Sequence, residues 1–147
     1  MYDSMRPIRN PRVCRSFFEN RGCCVDATQI VCIVDDDESV RMATASLVRS
    51  FGWQTRIFAS AEAFLQSGDL GKTSCLISDV RMPGISGIEM HEQLLKLGYA
   101  PPTLFISAFP PVALHAKIQK DGVMAFLPKP VDAAAMAHWL NLALGSP

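Results

Sequence analysis

Three consecutive aspartates, Asp35-Asp36-Asp37, follow directly on the apolar run Ile30-Val31-Cys32-Ile33-Val34, and a fourth, Asp79, closes a second run, Cys75-Leu76-Ile77-Ser78. Carboxylates gathered in a half-buried crevice repel one another and take up protons unless a cation compensates them; a hard divalent ion is the natural partner. Magnesium favours octahedral oxygen coordination, keeps several waters, and combines one or two carboxylates with phosphate oxygens. Asp36 and Asp79 are the expected direct ligands, with Asp35 holding a metal-bound water. A carboxylate screened in this way can attack phosphorus and carry the group as an aspartyl phosphate, and Asp79 is the best placed to do so. Charge on the transferring oxygens must then be stabilised by positioned groups. Lys129 supplies an ammonium and Ser107 a hydroxyl.

Each of these residues has a plainer reading when taken singly. The acidic triplet could be a charge cluster at a helix N-terminus, Asp79 a turn residue before Pro83-Gly84, Ser107 a helix cap and Lys129 a solvated lysine. The chemistry is carried by their joint arrival at strand ends, and the elements must therefore be placed.

The run Ile30 to Val34 is continuously apolar, as a strand buried on both faces is. Val40, Ala43, Leu47, Val48 and Phe51 then fall on one helical face, with Gly52 to end that helix. Thr55 to Phe58 forms a second strand, and Ser60 caps a short helix that stops before Gly68. The third strand, from Cys75, ends at Asp79, where Met82, Pro83 and Gly84 turn the chain away. Ser86 and Glu89 have capping-box spacing ahead of a helix with Ile88, Leu94, Leu95 and Leu97, closed by Gly98. Thr103 to Ile106 is a fourth strand ending at Ser107, and Pro110-Pro111 opens a fourth helix that Gly122 closes. Ala125-Phe126-Leu127 is a short fifth strand, after which Asp132 caps a last, alanine-rich helix. Such a βα alternation predicts an α/β domain with a parallel sheet covered on both faces, whose ligands bind outside the carboxyl ends of the strands. Asp35, Asp36, Asp79, Ser107 and Lys129 all lie at such ends.

A chain of 147 residues with 49% hydrophobic content supports one domain with a core. Fourteen basic residues balance fourteen acidic ones, so no overall field draws the chain onto nucleic acid or anionic lipid. Five irregularly spaced cysteines spell neither a disulfide framework nor a zinc motif, and the apolar runs are far shorter than a membrane helix requires. A soluble, cytoplasmic protein with no membrane partner is expected. Residues 1–28, with five arginines among prolines and polar residues, predict a poorly ordered extension, and direct nucleic-acid binding is not expected of it.

The segments Ile33 to Asp37, Ser78 to Gly87, Ile106-Ser107-Ala108 and Phe126-Leu127-Pro128-Lys129-Pro130 together resemble the response-regulator receiver domain of two-component systems. With Phe58 to Leu65, the sequence is similar to receivers that precede helix-turn-helix output domains. The resemblance assigns residues 29–145 to the receiver, leaves no output domain after it, and implies a flavodoxin-like, doubly wound, five-stranded parallel sheet with helices on both faces. It implies that Asp79 accepts a phosphoryl group from a sensor histidine kinase or a histidine phosphotransfer protein, the chain being a signalling domain and not an enzyme. Asp35, Asp36, Asp79 and the main-chain carbonyl of Arg81 would hold Mg2+, or Mn2+ in its place. Ser107 and Lys129 would bind the phosphoryl group, Phe126 would change rotamer with Ser107, and Lys129-Pro130 would be cis. The face of the fourth helix, fifth strand and fifth helix would then change for a downstream protein or for a phosphorylation-dependent homodimer.

Two departures from the family pattern stand out. Ala108-Phe109-Pro110-Pro111 replaces the usual small, polar loop, which predicts a restrained fourth helix. Arg81 and Phe109 would flank the path of an attacking water and lengthen the phosphoryl lifetime. The rival readings are a magnesium-dependent phosphohydrolase of the aspartyl-phosphate kind, for which Asp35 and Asp37 have suitable spacing, and a receiver-like interaction module that works without phosphorylation.

Overall fold

Strand β1 (Ile30–Val34) is fully buried from Val31 to Val34, as its unbroken apolar sequence requires. In the computed structural model, which describes residues 29–108 and 122–145, it is followed by α1 (Glu38–Ser50), β2 (Gln54–Phe58), α2 (Ala61–Leu65), a single 3-10 turn (Leu70–Lys72), β3 (Thr73–Asp79), α3 (Gly87–Lys96), β4 (Thr103–Ser107), β5 (Val123–Pro128) and α4 (Ala133–Leu144). The 1–28 extension and most of the helix expected between Pro110 and Gly122 lie outside the described residues, and α4 is the helix that the sequence placed fifth.

All five strands are parallel, in the order β2-β1-β3-β4-β5. This is the doubly wound, flavodoxin-like arrangement expected. Because side chains alternate along a strand, each strand feeds two cores. Val31, Ile33, Cys75, Ile77, Leu104, Ile106 and Leu127 meet α1 and α4 through Ala45, Val48, Met136 and Leu140. On the other face Cys32, Val34 and Leu76 meet α2 and α3 through Ala61, Phe64, Met90 and Leu94. A smaller cluster of Val80, Phe105, Val123 and Phe126 continues that second face toward β5.

The helix starts follow local chemistry. Asp37, Ser60, Ser86 and Asp132 each accept a backbone N–H of their helix's first turn, and Ser86 and Glu89 form the full capping box. One inward assignment is corrected. Ala43 is exposed and Thr44 takes the buried place, because the roll of α1 sets Thr44, Ala45 and Val48 against the sheet and leaves Val40, Leu47 and Phe51 as flanks. Leu97 is 60% exposed, since it caps α3 beyond the last turn that reaches the core. The 3-10 turn was not foreseen; its three residues carry no periodic apolar signal.

Candidate functional site

The parallel register brings the carboxyl ends of β1, β3, β4 and β5 to one rim. Asp79 pairs with Ile106 in the sheet, so Ser107 stands one residue beyond Asp79's neighbour, and Ser107 in turn pairs with Pro128. The Lys129 N–H donates to the Ser107 carbonyl at 3.1 Å, which ties the exit of β5 to that of β4. The Lys129-Pro130 peptide is cis, as expected.

At this rim the carboxylates of Asp35, Asp36 and Asp79 converge, with one oxygen of each lying within 4.8 Å of the others. Asp35 is fully buried and Asp79 nearly so, whereas Asp36 faces solvent. Lys129 is the compensating cation: its ammonium lies 3.0 Å from Asp79 Oδ2 and 3.5 Å from Asp35 Oδ2. The longer distance leaves Asp35 Oδ2 as a buried oxygen with no hydrogen-bond partner among the described residues. Burial pushes the Asp35 carboxyl above its usual range and the charge of Asp79 adds to this; the Asp37 N–H at 2.9 Å and the Lys129 ammonium only partly offset it. Burial works to lower the Lys129 ammonium, but the hydrogen bond to Asp79 and the fields of both aspartates outweigh it and the net shift is upward. The pocket thus has carboxylate oxygen in excess over local positive charge, the donor set that a hard divalent cation completes.

The remaining expected residues fall around this centre. The Arg81 N–H points at Asp79 Oδ1, 3.3 Å away, while the Arg81 side chain is exposed. Met82 is tucked into the core beside Ala61 and Phe64, Pro83 is exposed, and Gly84 takes a φ of +77° that lets the loop turn away. Phe126 is already buried in this structure, stacked on Phe105 with ring centroids 5.4 Å apart. Phe109 lies outside the described residues.

Two supporting contacts escaped sequence reasoning. Arg41 reaches back from the first turn of α1 and donates from Nη1 to the Asp35 carbonyl at 2.8 Å. Its only sequence signal is a position four residues after Asp37, one turn along the helix. Glu62 on α2 accepts the Ile85 N–H, and a separation of 23 residues leaves no local pattern by which to find it.

Residues 31–141 match the family model described as the response regulator receiver domain. The chain belongs to that family. Among relatives of the receiver, response regulator protein TodT of Pseudomonas putida is 40% identical over 119 residues, covering 81% of this chain and 52% of TodT. Transcriptional regulatory protein FixJ of Azorhizobium caulinodans is 36% identical over 113 residues, covering 77% of this chain and 54% of FixJ. The receiver therefore spans about half the length of these curated relatives. The solved structure of response regulator StyR superposes with a TM-score of 0.72 at 38% identity, over 80% of this chain and 59% of that one. Vibrio cholerae chemotaxis protein CheY4, at 22% identity and a TM-score of 0.71 over 80% of this chain and 99% of its own, shares the fold. Among the described residues no helix of the receiver is long and apolar enough to cross a membrane.

Proposed function

We propose that this receiver accepts a phosphoryl group on Asp79 from the phosphohistidine of a sensor kinase or histidine phosphotransfer protein, in the cytoplasm, and passes the event to a partner. The reading rests on one arrangement: a nearly buried carboxylate held 3.0 Å from an ammonium, beside two further carboxylates on a neighbouring strand exit. In the transfer an Asp79 oxygen forms the new P–O bond as the P–N bond breaks and its electron pair returns to the imidazole nitrogen. Lys129 is within reach of the incoming oxygens and stays charged in the field of the two aspartates. The Arg81 N–H restrains Asp79 Oδ1 and orients the nucleophile.

Asp35, Asp36, Asp79 and the Arg81 carbonyl would hold Mg2+, with Mn2+ as a substitute. When bound, the ion neutralises charge shared between carboxylate and phosphoryl oxygens. Ser107, nearly buried at the end of β4, offers its hydroxyl to the phosphoryl group, and its movement changes the packing of Phe126. Signal then leaves through the surface of β5, α4 and the chain before Gly122, read by a downstream protein or a second copy. The Arg81 side chain, exposed and two residues past Asp79, is the group assigned to slowing hydrolysis.

Incubation with Mg2+ and acetyl phosphate followed by intact-mass measurement tests the central claim. One phosphoryl adduct is expected on the wild type and none on Asp79→Asn or in EDTA. An adduct that survives in Asp79→Asn, or a wild type that takes none, would sink the reading.

A further inference from the structure

Glu62 does something that its position does not require. It stands in the first turn of α2, where a carboxylate would be satisfied by its own helix N-terminus or by water. Instead its Oε2 reaches across to the loop between β3 and α3 and accepts the Ile85 N–H at 3.3 Å. The same carboxylate covers Gly84 so closely that a Cβ there would stand 2.5 Å from Oε2, and the three nearest atoms to that Cβ all belong to Glu62. Helix α2 is itself anchored, because Ala61 and Phe64 are fully buried, and Met82 from the loop packs into the same cluster. The loop that follows Asp79 is thus held at two points, by the Met82 side chain from within and by Glu62 from without.

We infer that Glu62 is a positioning residue for the cation site: it sets the path of residues 81–85 and so the aim of the Arg81 backbone at the pocket. This rests on the proposed Mg2+ reading and extends it to a residue outside the pocket. Orienting groups one step removed from a metal commonly change its affinity by about tenfold or more. The Glu62 carboxylate acts through geometry, by filling the space above Gly84 and by accepting one N–H, and its charge is incidental to both.

Calorimetric titration of the full chain with Mg2+ alone is the test, with acetyl phosphate labelling as a second readout. Glu62→Ala is expected to weaken Mg2+ binding about tenfold and to slow labelling more at low Mg2+ than at saturating Mg2+. Glu62→Gln keeps an acceptor oxygen and the same bulk and is expected to bind within about twofold of wild type. Gly84→Ala should weaken binding more in the wild-type background than in Glu62→Ala, because the left-handed backbone cost is common to both, whereas only in wild type does the added methyl push the flexible Glu62 carboxylate off the Ile85 N–H. Wild-type affinity in Glu62→Ala, an equal loss in Glu62→Gln and Glu62→Ala, or an equal effect of Gly84→Ala in both backgrounds would each overturn the inference. A wild type that binds no Mg2+ would instead overturn the proposed function on which it stands.

Discussion

Lys129 and Asp79 meet at 3.0 Å across fifty positions of sequence, and the Lys129 ammonium is shared with Asp35 at 3.5 Å. One cation serving two inward-facing carboxylates leaves the site balanced short of neutrality. The consequences are measurable.

Replacing Lys129 by methionine keeps the length of the side chain and removes its charge. Labelling by acetyl phosphate is expected to fall about a hundredfold, the usual scale for losing one positioned electrostatic group. Mg2+ affinity measured by calorimetry should hold or rise, because the pocket becomes more negative. A labelling rate near that of wild type would remove Lys129 from the chemistry.

Asp35→Asn should make the metal-free protein more stable at neutral pH, by about 1 kcal/mol. The sign follows from burial, which raises the folded-state pKa of Asp35 above its ordinary 3.8. The folded state therefore holds its proton more tightly than the unfolded chain. The corresponding stability is fully present below 3.8 and is lost as pH rises through the elevated folded value. Asparagine suffers no such loss, so urea midpoints in EDTA should diverge from acid to neutral pH. Added Mg2+ should raise the wild-type midpoint and do much less for the variant.

Gly87 opens α3 directly against the end of β3. Its N–H donates to the Val80 carbonyl at 2.9 Å, and a Cβ there would collide with the Asp79 carbonyl oxygen and stand 2.9 Å from Ser78 Oγ. Backbone cannot yield as a flexible side chain does, so Gly87→Ala is expected to cost about 2 kcal/mol in urea unfolding. A cost under about 0.5 kcal/mol would mean that α3 shifts freely, contrary to its packing.

Cys75 lies wholly inside the core, and burial, with Cys32 nearby, pushes its thiol up to about 12. It should resist iodoacetamide in the native protein at mildly alkaline pH and react only at the rate of unfolding. The unfolded thiol ionises near 9.0, so above that pH the thiolate favours the unfolded chain and this residue's contribution to stability declines. Rapid alkylation of native Cys75 would contradict the packing of β3.

Strand runs, caps and the polar residues at strand exits were legible because each has a short-range signature, whereas the order of the strands was implied only by the family resemblance. Asp37, Ser60, Ser86 and Asp132 announce helix starts through hydrogen bonds to residues three positions on, and a buried parallel strand such as β1 announces itself by unbroken apolarity. The edge strand β2 was harder to bound, as its Gln54, Arg56 and Ile57 are exposed and its pattern is mixed. Contacts between distant segments were invisible. Neither Glu62 reaching Ile85 nor the stacking of Phe126 on Phe105 leaves a mark in local spacing, because both depend on how layers come together and on which rotamers fill the gap. The roll of α1, which turned Ala43 outward, is likewise set by packing against the sheet and only loosely by periodicity.

The rim draws its charged groups from β1, β3 and the exit of β5, the first, third and last strands along the chain. No contiguous fragment shorter than almost the whole domain can assemble it, and a chain emerging during synthesis has no Asp79–Lys129 pair until its final strand is laid down. The closeness of that pair is therefore a built-in certificate of complete folding: a half-made copy has the acidic cluster without the ammonium that offsets it.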